Sequence, residues 1–228
     1  MAVHRVGKHE LNLLSDDRPH QGLVLDCSPL EWAPLERLPP AEEAAAEAAA
    51  AGAGPPVWLV LDEVTDPQNL GALVRSAYCL GAAGLLACAK NCAPLSAAAT
   101  KASAGVLEAW PVHSCNNLAR TLADAAERGW TVVGAAAERG AEPCTQLAVT
   151  GPTLLVVGSE GHGLRTNVRR ACQKLVLVEM GGVAAAAAPG AAGAAAERRV
   201  VDSLNVSVAT GILLHQLIVA ARGPKAAA

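Results

Sequence analysis

The stretch Val57-Trp-Leu-Val-Leu-Asp-Glu-Val-Thr-Asp-Pro-Gln-Asn-Leu-Gly-Ala-Leu-Val-Arg-Ser-Ala77 decides the fold class of this chain. Its first five residues form an apolar run of the kind that makes a buried strand. A polar turn follows, and an amphipathic segment then predicts a helix that begins near Asn69 and carries Arg75 on about its second turn. A strand end, a loop and a helix start together form the place where open α/β sheets bind ligands. An arginine aimed at that crevice is either an anion clamp or a catalytic group.

The rest of the sequence alternates between Val-rich runs and helical patterns. This alternation predicts the α/β class, with a parallel sheet covered by helices on both faces, and by itself it gives a doubly wound open sheet. The predicted strands cover residues 57–61, 84–88, 108–112, 130–134, 153–157 and 175–178. The predicted helices cover residues 69–80, 95–103, 117–128, 164–173 and 203–221. In the last helix a 3.6-residue spacing predicts a core or interface face formed by Leu204, Val208, Ile212, His215 and Val219.

Two further segments match the first. Leu154-Leu-Val-Val-Gly-Ser-Glu-Gly-His-Gly-Leu164 is again a strand, a Gly-rich loop and a helix start, and Ser203-Leu-Asn-Val-Ser-Val-Ala209 begins the last helix. With Asn69 and Arg75, these segments resemble, in order, the three motifs of the SpoU family, RNA ribose 2′-O-methyltransferases of the SPOUT class. The resemblance covers most of the chain, and it is specific because three separate motifs fall in the right order on the expected elements.

The resemblance implies that Asn69, Arg75, Glu160 and Asn205 carry the chemistry. A free guanidinium is a poor base because its pKa is roughly 12 or above. We therefore expect Arg75 to stabilise the forming alkoxide and to hold the neighbouring phosphate. Glu160 is expected to orient Arg75 or to balance a sulfonium charge, and Asn205 to fix the ribose or Glu160. Structural alternatives stay open: a helix N-cap for Asn69, a surface arginine for Arg75, and a helix-start acid for Glu160.

The implied cofactor is S-adenosyl-L-methionine. The residues expected to bind it, mostly small and close to the motifs, are Ser103, Gly105, Gly134, Gly158, Ser159, Gly161, Val178, Met180, Ser203, Leu204 and Ser207. Ser203 could instead cap the last helix. The Gly-rich loop is neither a P-loop nor a dinucleotide fingerprint. One departure is that Val178-Glu-Met180 and a long Ala/Gly run at 184–196 stand where the family commonly has Ile-Pro-Met and a short loop that helps form the adenine pocket.

The resemblance also implies a deep C-terminal trefoil knot over roughly Thr153 to Leu217 and a homodimer built across its loops. It divides the chain into three parts. Residues 1–38 are expected to be the remnant of an N-terminal RNA-binding domain with its join, residues 39–56 an exposed Ala/Pro-rich linker, and residues 57–222 the methyltransferase domain. Because most of such an RNA-binding domain is absent, the sequence is expected to be a truncated or alternative product.

Composition limits the classes of function. A formal net charge of −3 argues against a general electrostatic nucleic-acid binder. Local cations at Arg165, Arg169, Arg170, Lys174, Arg198 and Arg199 are either solvated surface groups or a phosphate-contact patch. Seven cysteines without a Cys-x-x-Cys pair predict reduced core residues and no metal site. No apolar run reaches the roughly 18–20 residues of a membrane helix, and the first ten residues resemble no signal or transit peptide.

The sequence therefore predicts an S-adenosylmethionine-dependent enzyme that methylates a ribose, expected to be that of a guanosine, in large-subunit rRNA. The segments Arg18-Pro-His-Gln-Gly22 and Lys101-Ala-Ser-Ala-Gly105 are most similar to the mitochondrial enzymes of the family, which predicts the mitochondrial matrix, with the cytoplasm as the alternative. Other activities stay open. They are tRNA ribose methylation, a non-catalytic RNA-binding ribosome assembly factor of the same fold, and a generic α/β nucleotide binder.

Overall fold

The computed structural model describes residues 2–138, 140–179 and 203–223. In this part of the chain, eight strands form one sheet in the order β1-β4-β3-β2-β7-β5-β8-β6. The strands are β1 (Ala33–Pro34), β2 (Val57–Leu61), β3 (Gly84–Ala87), β4 (His113–Ser114), β5 (Thr131–Ala135), β6 (Glu142–Pro143), β7 (Thr153–Val157) and β8 (Lys174–Leu177). Every pair among these eight strands is parallel, which confirms the predicted sheet.

Helices cover both faces of the sheet. They are α1 (Lys8–Leu14), α2 (Ala41–Ala50), α3 (Pro67–Leu80), α4 (Ala97–Ser103), α5 (Val106–Ala109), α6 (Leu118–Glu127), α7 (Thr166–Ala171) and α8 (Val206–Arg222). Successive residues of a strand point to opposite faces. Leu59 and Leu61 of β2 therefore pack in one core with α3 and α8, whereas Val60 packs in a second core with α6 and Trp130. Both faces of the sheet are thus buried, as in other parallel sheets.

Local sequence explains where α3 begins and ends. The Asp66 side chain accepts a hydrogen bond from the Gln68 backbone N–H at 3.0 Å, and Pro67 occupies the first turn. Gly81 ends the helix with a φ of 87°, a conformation that glycine adopts without strain. At Gly71 a Cβ would collide with the Ala99 carbonyl, so this glycine is what allows α3 to pack closely on α4.

Most predicted elements lie within about three residues of the observed ones, but one was wrong. Residues 108–112 were predicted to form a strand, yet the helix α5 occupies part of this stretch and the short β4 follows it. Leu and Ala have high helix propensity, and this propensity outweighs the apolar run that had suggested a strand.

The expectation of an exposed linker at residues 39–56 was wrong for part of α2. Ala41 and Ala44 are buried in the second core beside Leu38. The Ala41 backbone N–H donates to the Arg128 carbonyl at 2.9 Å, and the Trp130 indole donates to the Pro39 carbonyl at 2.8 Å. Small side chains let this helix approach the sheet closely although it has no stripe of large apolar residues.

The last helix buries a different face from the predicted one. Its buried residues are Thr210, Leu213, Leu214, Leu217 and Ile218. Of the predicted face, Val208, Ile212, His215 and Val219 are exposed on α8, and Leu204 is exposed just before it. The core alternative for this face was therefore wrong. Because α8 is apolar nearly all round, 3.6-residue periodicity could not choose between its sides.

Several predictions fall on residues outside the described ranges. These are Met180, the Ala/Gly run at 184–196, the cations Arg198 and Arg199, and the chain path from 180 to 202 on which the trefoil knot depends. Within the described ranges, no helix is long and apolar enough to span a membrane. The same residues contain no group of three or more His, Cys, Asp or Glu side chains placed to hold a metal ion. All seven cysteines are unpaired, but Cys27 and Cys79 are exposed rather than in the core.

Candidate active site

Three separate segments meet at the carboxyl edge of the sheet. β2 and β7 pair in parallel with Leu61 opposite Val157, so the loops that follow these two strands begin side by side. The Asp62 backbone N–H continues this pairing by donating to the Val157 carbonyl at 2.8 Å. The start of α8 lies close to the same edge, because its buried face packs in the core that Leu61 and Val157 share. This is the crevice where parallel sheets bind ligands.

Side chains from these three segments form what we call the amide–carboxylate triangle: Asn69, Glu160 and Asn205. The Asn69 amide donates to Glu160 Oε2 at 3.3 Å, and the Asn205 amide donates to Glu160 Oε1 at 3.3 Å. The Asn205 amide also donates to Asn69 Oδ1 at 3.1 Å. The structure therefore brings together three of the four predicted catalytic residues. Both carboxylate oxygens of Glu160 are held, so its negative charge has a fixed position at the surface.

The residues that cap α3 and α8 are not the two that the sequence suggested, Asn69 and Ser203. Asp66, not Asn69, caps α3, which leaves Asn69 Oδ1 available to accept from the Asn205 amide. Asn205, not Ser203, caps α8, because Asn205 Oδ1 accepts hydrogen bonds from the backbone N–H and the hydroxyl of Ser207 at 2.9 and 2.6 Å. Asn205 thus uses its carbonyl oxygen to begin a helix and its amide to bind Glu160.

Residues 158–164, which we call the glycine loop, hold Glu160 in a closed turn. Ser159 and Gly163 exchange backbone hydrogen bonds at 3.0 and 2.8 Å across the loop. A Cβ on Gly158 would collide with the Gly163 carbonyl group, and Gly163 has a φ of 66°. Both positions therefore need glycine for physical reasons. The loop presents Glu160 at its exposed tip.

A cleft of about 220 Å³ opens beside the triangle. Its walls come from the glycine loop, the carboxyl ends of β5 and β8 and the first turns of α8. Five of the predicted cofactor-binding residues line it, namely Gly158, Ser159, Val178, Ser203 and Leu204. Most of the lining is aliphatic, and Glu160 contributes a carboxylate at the edge. Such a cleft suits a ligand with a flat apolar part and a positive charge.

The other described residues predicted to bind the cofactor are not among those that line the cleft. Ser103 is buried and joins α4 to α5, since its hydroxyl donates to the Thr100 carbonyl and accepts from the Leu107 N–H. Gly105 takes a φ of 88° in the same turn. Gly134 lies inside β5, where a Cβ would meet Cys172. Gly161 and Ser207 belong to the glycine loop and to the cap of α8.

Arg75 lies on α3 with an exposed side chain. In the described part of the chain it makes no hydrogen bond or ion pair, so its expected contact with the loops does not form here. It is on the same helix as Asn69, six residues further on, or roughly 9 Å along the axis. Its charge is therefore available to a ligand that reaches past the triangle.

Sequence reasoning missed Asp62, which is fully buried directly behind the glycine loop. Arg165 binds it three times: the backbone N–H donates to Oδ2 at 2.8 Å, while Nε and Nη2 both lie 2.7 Å from Oδ1. Burial by itself would lower the pKa of Arg165, but the hydrogen bonds and charge of Asp62, with Glu63, raise it above its ordinary value. The acid that follows β2 was the available signal, since a charge at a strand end needs a partner when it is buried.

The basic helix patch expected from sequence is partly neutralised. Arg165 is paired with Asp62, and Arg169 is paired with Glu138. Arg170 and Lys174 are exposed. Two of the four cations noted in this region therefore form ion pairs within the chain, and the other two have exposed side chains.

Comparison with known proteins agrees with this site. Residues 56–186 match the model of the SpoU rRNA methylase family. The 23S rRNA (guanosine-2′-O-)-methyltransferase RlmB of Pseudomonas syringae is 39% identical over 87% of this chain and 70% of its own length. The mitochondrial rRNA methyltransferase 1 of Dictyostelium discoideum is 32% identical over 98% of this chain, which spans only 43% of that protein.

The fold also matches that of a solved rRNA methyltransferase structure. The AdoMet-bound rRNA methyltransferase from Sinorhizobium meliloti superimposes with a TM-score of 0.59 at 26% identity, over 72% of this chain and 56% of that one. The three motifs, their meeting at one sheet edge and these matches lead to one conclusion: the chain belongs to the SpoU rRNA methylase family.

Proposed function

We propose that this protein transfers a methyl group from S-adenosylmethionine to the ribose 2′-hydroxyl of an rRNA nucleotide. The observation that carries the proposal is the amide–carboxylate triangle at the rim of an apolar cleft. Because the chain spans 43% of one relative and 70% of another, substrate and partners are part of the proposal.

The cleft fits the methyl donor. Gly158 and Gly163 of the glycine loop line the cleft, and the aliphatic residues around Val176 and Leu213 offer contact to a flat adenine ring. Glu160 offers a fixed negative charge, which a sulfonium cation requires when it leaves water. When bound, S-adenosylmethionine supplies an electrophilic methyl group on a positively charged sulfur.

The chain's own residues account for alignment and charge. Asn69 and Asn205 fix both oxygens of Glu160, so the carboxylate does not have to reorganise during the reaction. Each oxygen keeps a lone pair, so the Glu160 carboxylate can accept the proton of the ribose 2′-hydroxyl as the hydroxyl oxygen bonds to the methyl group and the bond from that methyl group to sulfur breaks. Holding the hydroxyl in line with the methyl group contributes up to roughly 7–11 kcal/mol of the barrier reduction.

Arg75 supplies a positive charge on the RNA side of the site. It is exposed and lies on α3 beyond Asn69, so a phosphate next to the target ribose can reach it. Arginine suits this role because its planar fork binds phosphate oxygens in pairs. With a net charge of −3 on the whole chain, such local contacts must supply the attraction to RNA.

The finer assignment is a guanosine of large-subunit rRNA, in the mitochondrial matrix. Two relatives support it: the RlmB protein is named for guanosine 2′-O-methylation in 23S rRNA, and the Dictyostelium protein is named as mitochondrial. A ribose 2′-hydroxyl has the same chemistry in rRNA and in tRNA, so the choice of RNA depends on surfaces outside the triangle.

We further propose that two copies associate through the exposed face of α8. Val208, Ile212 and Val219 are 51%, 37% and 49% exposed and follow one side of the helix, and Leu204 extends this face to the cleft. Apolar faces of this kind on soluble proteins mark association surfaces. A second copy would then lie beside the methyl-donor cleft.

The test of the main proposal is methyl transfer from tritiated S-adenosylmethionine to two transcripts, a large-subunit rRNA fragment and a tRNA. A matched rRNA fragment with a 2′-deoxynucleotide at the labelled position is the control. We expect label in the rRNA fragment and none in the deoxy control. Label that persists in the deoxy control would mean base methylation, and methyl-donor binding without transfer to any RNA would favour a non-catalytic role.

A further inference from the structure

The glycine loop is held at both of its ends by one residue. The Asp62 backbone N–H donates to the carbonyl of Val157, the residue before the loop, at 2.8 Å. The Asp62 carboxylate accepts from Arg165, the residue after the loop, through one backbone and two guanidinium contacts of 2.7–2.8 Å. The seven loop residues between them therefore start and finish on the same anchor, with Glu160 at the tip.

Asp62 also begins the segment that leads to Asn69. Immediately after it, Glu63 has a φ of 59°, a left-handed conformation that is unfavourable for a residue with a side chain. The Glu63 carboxylate is held by the Asn91 amide at 3.2 Å and lies 3.5 Å from the Arg165 guanidinium. Backbone strain that is held by surrounding contacts in this way is typical of functional sites. Both loops of the triangle thus depart from one fixed point.

We propose that Asp62 and Arg165 form a clamp that positions Glu160 against Asn69 and Asn205 and so controls the rate of methyl transfer rather than the affinity for the methyl donor. This inference rests on the function proposed above. Neither residue is among those that line the cleft, so each acts through the loop it holds and not by contact with a substrate. Arg165 is accordingly a positioning residue, and its charge is not available to RNA phosphate.

The geometry explains why arginine is needed at position 165. Nε and Nη2 bind one oxygen of Asp62 together, while Glu63 lies near Nε, so the planar guanidinium joins two carboxylates at once. A lysine keeps the positive charge for Asp62 but has a single ammonium that cannot form this fork. Arg165→Lys therefore loosens the clamp without leaving a buried carboxylate alone, and the variant is expected to fold.

Arg169→Lys is the matched control. Arg169 lies on α7, the helix that begins directly after Arg165, and it also pairs with a carboxylate, that of Glu138, but both side chains of this pair are well exposed. Among the described residues, neither side chain of this pair hydrogen-bonds to Asp62 or to the glycine loop, so loosening the pair should leave Glu160 in place.

Hydrogen exchange of the loop amides tests the clamp directly. In Arg165→Lys we expect the protected amides of Ser159 and Gly163 to exchange at least tenfold faster, and in Arg169→Lys at the wild-type rate. We also expect kcat for methyl transfer to fall at least tenfold in Arg165→Lys, while the Kd for S-adenosylhomocysteine changes less than threefold. The split between kcat and Kd separates positioning from a general loss of the fold.

The outcomes keep the two proposals apart. Unchanged loop exchange in a folded Arg165→Lys protein overturns the clamp whether or not the enzyme is active. A wild-type protein that transfers no methyl group refutes the proposed function, and the clamp is then judged by exchange alone. Equal losses in Arg165→Lys and Arg169→Lys would also overturn it. If Arg165→Lys does not fold, the double variant Asp62→Asn with Arg165→Gln removes both charges together, and the same exchange criterion applies to it.

Discussion

The Asn205 amide donates to Asn69 Oδ1 at 3.1 Å although 136 positions separate the two residues along the chain. This contact joins the first turn of α3 to the cap of α8, and both partners also hold Glu160. Three loops that the sequence keeps far apart therefore act as one site. Removing either amide therefore affects the Glu160 carboxylate directly, through the lost hydrogen bond, and indirectly, through the other amide.

Asn205→Ala should lower methyl transfer by at least a hundredfold and destabilise the fold by about 1 kcal/mol. The activity falls because Glu160 loses one of its two amide partners, and the stability falls because α8 loses its cap. Turnover and thermal unfolding measure the two effects. Ser207→Ala is the control, since it removes only the hydroxyl contact to Asn205 and should keep most of the activity. A fully active Asn205→Ala protein would contradict the role given to the triangle.

Glu160→Gln should weaken binding of S-adenosylmethionine at least tenfold and leave binding of S-adenosylhomocysteine within about twofold. The two ligands differ in charge at sulfur, and only the first carries the sulfonium that the Glu160 carboxylate is proposed to balance. Glutamine keeps the size of the side chain, and its carbonyl oxygen still accepts from one of the two amides, although its NH2 group cannot accept from the other. Calorimetric titration with both ligands gives the ratio. An equal loss for both would assign Glu160 to loop structure instead of charge balance.

The alternation of the sequence predicted the parallel sheet, and the resemblance of three motifs to the SpoU family predicted the residues of the triangle. Once β2 and β7 are recognised as parallel neighbours, the loops that follow them must meet, and Asn69 and Glu160 come with them. Asn205 was predicted only because the segment that contains it resembles the third motif of the SpoU family. Each of these inferences depends on local sequence, which a single chain records well.

The features that could not be predicted from the sequence depend on contacts between residues far apart in the chain. The Asp62–Arg165 clamp links positions 103 apart, and no local pattern distinguishes Arg165 from its neighbours Arg169 and Arg170 on the predicted helix. The buried side of α8 was equally hidden, since a helix that is apolar nearly all round offers two possible core faces. Burial of Ala41 and Ala44 in α2 depends on the close approach of Gly129 and Trp130, which alanine-rich composition does not signal.

Arg75→Ala should abolish turnover and leave methyl-donor binding within a fewfold. The side chain is exposed and makes no contact with the triangle in the described residues, so its loss leaves the cleft intact. RNA affinity should weaken with a smaller dependence on salt, because one phosphate contact is lost. Arg120→Ala, an exposed arginine on α6, is the control and should behave as wild type. Normal ribose methylation by Arg75→Ala would refute the assignment of Arg75 to the catalytic group.

Ile212→Glu should convert the proposed dimer to a monomer without unfolding the chain. Ile212 is 37% exposed in the single chain, so a carboxylate there stays in water in the monomer but would be buried unpaired against a second copy. Leu13→Glu on α1 is the control, because Leu13 is 62% exposed and far along the chain from α8. Light scattering at several protein concentrations measures the mass. A wild-type protein that is already monomeric at micromolar concentration would remove the two-copy proposal, and the exposed face of α8 would then have to be covered by something else.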